Sequence, residues 1–266
     1  MVSSLAIREV GGFLVYNPQC LSTKANTWPE VMEYVRSSDV PKAYLPVGSV
    51  EAHGPHLPLD TDTIIAEYIA RSVCNKIGGF LLPPINYGVL WALRPYPGSV
   101  HVEDEVLEEL ILNIGDSLSK QGFKLLVIVN AHMINQDAIR IASRKLYGKL
   151  SVLYFNPDII GKIASKHVDA KPLYGMFHAD EIETSILLHI NPQLVHLDRV
   201  IKEELPSEMG ELIAHMPLQW GKFVKMGVLG DPTKASEKKG REILDEIVQY
   251  VLNIVEKASA LLRGSL

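Results

Sequence analysis

Two short stretches of this chain concentrate the side chains that hydrolytic chemistry needs. From Gly48 to Asp62 it reads GSVEAHGPHLPLDTD, which packs Glu51, His53, His56, Asp60 and Asp62 into a loop rich in glycine and proline. Further on, NAHMINQD supplies Asn130, His132, Asn135 and Asp137. Imidazole with carboxylate is the ligand set of hydrolytic zinc, manganese and iron sites. Glu51 and His53 stand two residues apart, so an extended strand end would turn both to one side. His132 would then approach from the neighbouring strand, and Asp62 from the start of the following helix. A carboxylate shared by two ions would make such a site binuclear, able to activate water and polarise a scissile carbonyl. The plainer reading is that these groups only cap turns and bind loop backbone. Five ionisable groups in fifteen residues, facing a further histidine across a sheet, favour the site.

A third stretch, HADEIETS, runs from His178 to Ser185. Asp180 and Glu181 suit the positive end of a helix and read as capping groups. A cationic histidine there is unfavourable, so His178 reads as an uncharged imidazole able to shuttle protons.

These groups need elements that hold them together. Ala43 to Val47 (AYLPV) and Lys124 to Val129 (KLLVIV) are apolar runs of strand length, as expected of strands buried on both faces. Gly79 to Leu82 and Leu150 to Phe155 are further strand candidates. Helical periodicity marks Ile64 to Ile77, closed by Gly78 and Gly79. It recurs in the face Val106, Leu107, Leu110, Ile111, Ile114 and Leu118, with Gly122 at the C-cap position. Ile134 to Leu146, Glu181 to His189 and Gly240 to Leu262 follow the same period. Strands alternating with helices predict an α/β fold with a mainly parallel sheet. Ligands of such sheets bind beyond the carboxyl ends of the strands, where both polar clusters fall. Val195 to Pro232 is irregular and predicts loops with short helical turns.

Composition narrows the function classes. With 47% hydrophobic and 21% charged residues over 266, the chain has the balance of a folded core, which excludes disorder. A net charge of -5 lacks the basic footprint of a nucleic-acid binder. No apolar run reaches membrane-spanning length, so no membrane partner is expected. The first residues, MVSSLAIREVGG, carry charges where a leader would be apolar. Two cysteines, Cys20 and Cys74, imply no disulfide framework, and the cytoplasm is the expected compartment. No repeat or linker appears, so one domain over residues 1–266 is expected. Of the nine histidines, His101, His167, His189, His196 and His215 read as ordinary and His56 as structural.

The run VGSVEAHGPHLPLDTDTIIAEYIA resembles the signature of the creatininase (creatinine amidohydrolase) family. The resemblance continues in order through YPGSVHV (Tyr96 to Val102), VNAHMIN (Val129 to Asn135), FHADEIETS and GVLGDPTKAS (Gly227 to Ser236). It implies a three-layer α/β/α sandwich, a homo-oligomer of hexameric type, and a two-metal hydrolase. The expected reaction is cleavage of a non-peptide C–N amide bond, cyclic amide or formamide, by metal-activated water. By motif position, Glu51 and His132 would hold one divalent ion (Zn, Mn or Fe) and His53 the other, with Asp62 bridging. His178 would transfer protons, and Asn130 and Asn135 would fix the loop that carries His132.

The chain departs from that pattern at two places. Creatininase has an aromatic residue and then a glutamate ligand after the second-strand histidine, where this chain has Met133 and Ile134. Isoleucine cannot ligate, so Glu183 is the candidate for the missing carboxylate; the alternative is that one ion alone binds tightly. The substrate loop also differs, reading GVLWALRPYPGS, and points to Trp91, Arg94 and Met133 as substrate contacts. Trp91 would stack on a planar ring and Arg94 would hold an anion such as phosphate. The equally plain alternative is a packed tryptophan and a surface arginine. Deformylation of a pyrimidine nucleotide, as in the archaeal flavin and deazaflavin branch of the family, would suit both residues. Creatinine hydrolysis is disfavoured by Met133 and Ile134. Peptide maturation, and an inactive metal-binding regulatory relative, are the remaining readings.

Overall fold

In the computed structural model, described for residues 7–10, 13–16, 20–169, 177–206, 209, 212 and 215–264, the chain forms an α/β/α sandwich. Its centre is a five-stranded parallel sheet. In chain order the strands are β3 (Leu21–Ser22), β4 (Lys42–Val47), β5 (Phe80–Leu81), β6 (Leu125–Asn130) and β7 (Ser151–Phe155), arranged in space as β3-β5-β4-β6-β7. A separate antiparallel hairpin precedes them, β1 (Ile7–Val10) with β2 (Phe13–Tyr16).

Strand β6 shows why the middle of the sheet reads as unbroken apolar sequence. Leu125, Val127 and Val129 pack into one core, and Leu126 and Ile128 into the other. Both faces are covered by helices, so no position can be polar until the strand ends at Asn130. On one side lie α1 (Trp28–Ser37), α3 (Asp104–Lys120) and α4 (Gln136–Leu146). On the other lie α2 (Thr61–Ile77), α5 (Pro157–Ala164), α6 (Glu181–Ile190) and α7 (Glu237–Leu262).

The expected strands and helices are present with small shifts of boundary. Helix α2 begins at Thr61 rather than Ile64, because the Thr61 hydroxyl donates to the Pro58 carbonyl at 2.7 Å and closes the first turn early. Asp62 therefore sits within that turn. Beyond α3, Gly122 adopts φ +93° and the Phe123 N–H returns to the Leu118 carbonyl at 3.1 Å, a turn that only glycine makes without strain. Two helices were not anticipated. Helix α1 carries a legible start signal, since Glu30 accepts from the Thr27 N–H at 2.7 Å in a capping box. Helix α5 is only eight residues long and opens on Pro157, too short to show a period. Between Val195 and Pro232, the described residues form loops and short 3-10 turns, with Met209, Leu212 and His215 helical, as expected of loops with short helical turns.

The cysteine expectation is corrected. Cys20, just before β3, is joined by a disulfide to Cys74 in the last turns of α2. Their spacing of 54 residues hid the contact, which arises because β3 pairs with β5 directly after α2. Among the described residues, no helix is long and apolar enough to cross a membrane.

Register places the two polar clusters side by side. Val47, the last residue of β4, pairs with Asn130, the last of β6, and the Ala131 N–H donates to the Val47 carbonyl at 3.0 Å. The loops carrying Glu51 and His132 therefore leave the sheet together at its carboxyl edge.

Candidate metal centre

Glu51 and His53 do not lie on an extended strand end, because β4 stops at Val47. They sit in the loop beyond it, pinned at several points. The Glu51 N–H donates to the Leu59 carbonyl at 2.9 Å, and the Ala52 N–H to Ser99 Oγ at 3.0 Å. Gly48 is needed at the loop's root, where a Cβ would stand 2.4 Å from the backbone nitrogen of Thr63.

Three carboxylates and three imidazoles converge there. Glu51, His53, Asp62, His132, His178 and Glu183 are all at most 5% exposed. Asp62 lies at the centre and its two oxygens face different partners. Oδ2 is 3.0 Å from His132 Nδ1, and Oδ1 is 3.3 Å from His53 Nε2. His132 Nδ1 also lies 3.1 Å from Glu51 Oε2, and His53 Nε2 lies 3.7 Å from Glu183 Oε2. Ser49 Oγ donates to Asp62 Oδ2 at 2.8 Å.

Hydrogen bonds on the far side of each ring fix its tautomer. His132 donates from Nε2 to the Val89 carbonyl at 2.8 Å, which leaves the Nδ1 lone pair for the cluster. His53 donates from Nδ1 to the Glu51 carbonyl at 3.1 Å, which leaves Nε2 for the cluster. That pattern, one nitrogen tied back to backbone and the other free, is how metal-ligating histidines are held. His53 Nε2 is buried without a hydrogen-bond partner between two carboxylates, so the donor set fits a divalent cation.

The electrostatics agree. Burial opposes ionisation of Asp62, yet His53 and His132 hold it well below the usual carboxylate range. Burial alone would push His53 down, but Asp62 and Glu183 raise it to about 10. His132 is likewise raised against burial, by Glu51 and Asp62. Glu183 is pushed up to about 8, chiefly by burial and by Asp62, with His53 opposing. A pocket so crowded with carboxylate demands extra positive charge.

His178 differs from its neighbours. Burial and the adjacent His53 lower it to about 4, so the ring is uncharged. Its centroid lies 4.3 Å from that of His53, and Nε2 donates to the Ala52 carbonyl at 2.7 Å. The next residue, Ala179, has φ +50°, a strained conformation for a non-glycine residue. Its N–H donates to Glu183 Oε2 at 2.5 Å, so the turn that presents His178 also anchors Glu183. Asp180 caps α6 as expected, accepting from the Ile182 N–H at 2.8 Å. Glu181 stands in the first turn of α6, as expected, and is in addition fully buried and paired with Lys239.

The ligand atoms fall into triads that could each hold an ion: Glu51, Asp62 and His132; His53, Asp62 and Glu183; and Glu51, His53 and His178. The first two share Asp62. Asn130 and Asn135 brace the His132 loop. The His132 N–H donates to Asn130 Oδ1 at 3.1 Å, while Asn135 takes the Val89 N–H and gives to the Gly48 carbonyl, both at 2.9 Å.

A cavity of about 160 Å³ opens onto this cluster. Trp91 and Met133 line it, as does Ile134. Arg94 does not: it is exposed and absent from the wall. Phe177 and Trp220 are wall residues not anticipated from sequence, and Trp220 meets the His178 ring edge-on at 5.7 Å. Phe177 could have been found from its place beside His178. Trp220 lies in the irregular stretch and is brought in only by the fold, its N–H donating to the Ala92 carbonyl at 2.9 Å.

A parallel α/β/α sheet whose carboxyl edge carries this buried carboxylate and imidazole set has the make-up of a metal-dependent hydrolase. The family model Creatininase, described as creatinine amidohydrolase, matches residues 24–255. The mycofactocin precursor peptide peptidase of Mycobacterium ulcerans (strain Agy99) is 35% identical over 240 residues, covering 84% of this chain and 83% of that protein. The 3-dehydro-scyllo-inosose hydrolase of Thermotoga maritima is 28% identical over 258 residues, covering 86% and 80%. A solved structure described as Creatininase Mn superposes with a TM-score of 0.77 at 23% identity, covering 90% of this chain and 98% of that one. The chain belongs to the creatininase family.

Proposed function

We propose that this chain is a binuclear-metal amidohydrolase that cleaves a C–N bond in a small, uncharged, largely apolar amide. The observation that carries this reading is Asp62, whose two oxygens face His132 and His53 separately. Glu51, Asp62 and His132 would hold one divalent ion (Zn, Mn or Fe). His53, Asp62 and Glu183 would hold the other, Glu183 replacing the carboxylate that Ile134 cannot provide. Such ions, when bound, acidify a water and polarise a carbonyl. The protein's own part is positioning and proton transfer. Ser49 orients Asp62, and the Val89 carbonyl orients His132. With Nε2–H given to Ala52, His178 offers Nδ1 to take a proton and return it to the leaving nitrogen.

A second reading makes His178 a ligand, because Glu51, His53 and His178 also converge. The two readings separate by mutation. On the proposed reading, His178→Ala keeps bound metal and loses turnover; loss of metal assigns His178 to the ligands.

The wall formed by Trp91, Leu93, Met133, Ile134, Phe177 and Trp220 supports an apolar or ring-bearing substrate. With Arg94 outside the cavity, the nucleotide deformylase reading loses its phosphate clamp. The named activity of the mycobacterial relative makes a peptide-derived amide the main competitor. Neutral formamides, phosphorylated formamides, cyclic amides and short apolar peptides, offered to zinc-, manganese- and iron-loaded protein, test the choice. Turnover of neutral amides is expected. Turnover confined to phosphorylated formamides would overturn the apolar-substrate reading, and turnover of none would favour an inactive relative. We further propose a single domain, a homo-oligomer, and a cytoplasmic location that must accommodate the Cys20–Cys74 disulfide.

A further inference from the structure

One peptide group, the unit joining Val89 to Leu90, is gripped by a histidine at each end. Its carbonyl accepts from His132 Nε2 at 2.8 Å. Its N–H donates to His101 Nδ1 at 2.9 Å. The tautomer of His101 follows, because Nδ1 must keep its lone pair to accept. Its proton therefore sits on Nε2, 3.2 Å from Glu103 Oε2. The result is a relay in which the Leu90 N–H donates to His101 and His132 donates to the Val89 carbonyl, with the Glu103 carboxylate lying beside the far side of His101. At its inner end, His132 Nδ1 faces Glu51 and Asp62 at 3.1 and 3.0 Å. The His101 side chain is only 8% exposed.

We propose that His101 is a positioning residue of the metal centre, acting on His132 through this single peptide group. Withdrawing the N–H toward an acceptor polarises the amide and makes its carbonyl a stronger acceptor. The stronger carbonyl keeps the His132 proton on Nε2 and the ring turned so that Nδ1 meets the carboxylates. Partners that bond a ligating histidine directly typically govern about 10- to 100-fold in metal affinity, and His101 acts one peptide group further out. Packing alone does not require the arrangement. The loop has other anchors, the Val89 N–H on Asn135 Oδ1 at 2.9 Å and the Val102 N–H on the Gly88 carbonyl at 3.0 Å. These keep residues 88–90 in place when His101 changes, so the histidine's effect is separable from folding.

The inference rests on His132 being a ligand, and the test is chosen to separate the two claims. Metal-free protein is titrated with cobalt(II), followed by its visible absorption, and with zinc(II) against a chromophoric chelator. His101→Leu removes the acceptor at similar volume, while His101→Asn puts Oδ1 near the place of Nδ1. The Leu variant is expected to bind about 10-fold more weakly, the low end of that range, with a changed cobalt spectrum. The Asn variant is expected to recover to within about threefold of the unsubstituted chain. Leu binding as tightly as the unsubstituted chain, or Asn as weak as Leu, overturns the inference alone. Failure of the unsubstituted chain to bind either ion overturns the metal reading and this inference with it.

Discussion

Buried carboxylates without a cation must protonate or borrow protons from a neighbour, and His53 and His132 serve as that neighbour in the metal-free site. His53, raised to about 10 by Asp62 and Glu183, is charged at neutral pH without metal, and His132 is raised in the same direction by Glu51 and Asp62. Ligation needs an uncharged ring, so each ion that enters must expel protons. Apparent metal affinity should therefore rise with pH from the acid side toward about 10, the value of His53. Calorimetric titration at pH 7 in buffers of differing ionisation enthalpy should show at least one proton released per site filled. Zero release would mean that the two histidines do not ligate. At this scale the sequence was informative where residue type alone restricts the chemistry. Glu51, His53, Asp62 and His132 cluster in two runs, and the structure draws them within hydrogen-bonding distance. It was uninformative where the role depends on a distant partner. His101 reads as ordinary until the Leu90 N–H is found on it, and Arg94 reads equally as a clamp or a surface arginine until it is found outside the cavity.

At the scale of elements, the site depends on how closely α6 lies against α7. Gly240 sits where α7 crosses α6, and a Cβ there would stand 1.8 Å from the Ser185 carbonyl oxygen. Gly240→Ala must push apart the helix that carries Glu183, costing about 1–3 kcal/mol as overpacking does. A lowered denaturant midpoint checks this, and an unchanged midpoint would mean that the helices are not so close. The disulfide acts on the opposite side of the same layer, tying β3 to the end of α2, whose first turn holds Asp62. Closing a loop of this length stabilises by about 4 kcal/mol through the entropy of the unfolded chain. Cys20→Ser should lower stability by an amount of that order in equilibrium unfolding, and reductant should have no further effect on the variant. Helices and strands with a clear period were legible in advance. Contacts between elements, such as Cys20 with Cys74, were not, because periodicity assigns a face without naming what it meets.

Over the whole molecule, the parallel sheet serves as a rigid edge from which loops of distant sequence converge. Residues 51, 132 and 183 meet because Val47 and Asn130 are in register and α6 packs on the same side as α2. Metal held at that junction links the β4, β6 and α6 segments and stabilises the folded state alone. At a hundredfold excess over its dissociation constant, an ion bound at one site adds about 2.7 kcal/mol. Chelation should therefore lower the melting temperature by several degrees, and restoring zinc or manganese should reverse it. A melting temperature indifferent to chelator would mean that nothing at the junction depends on metal.

The most direct measurement is anomalous scattering from crystals of the metal-loaded protein, recorded at the absorption edge of the bound metal and compared with Asp62→Ala. Two maxima are expected, one among Glu51, Asp62 and His132 and one among His53, Asp62 and Glu183, and both should be lost or greatly weakened in the variant. A single maximum, or two that persist without Asp62, would contradict a centre built on one shared carboxylate.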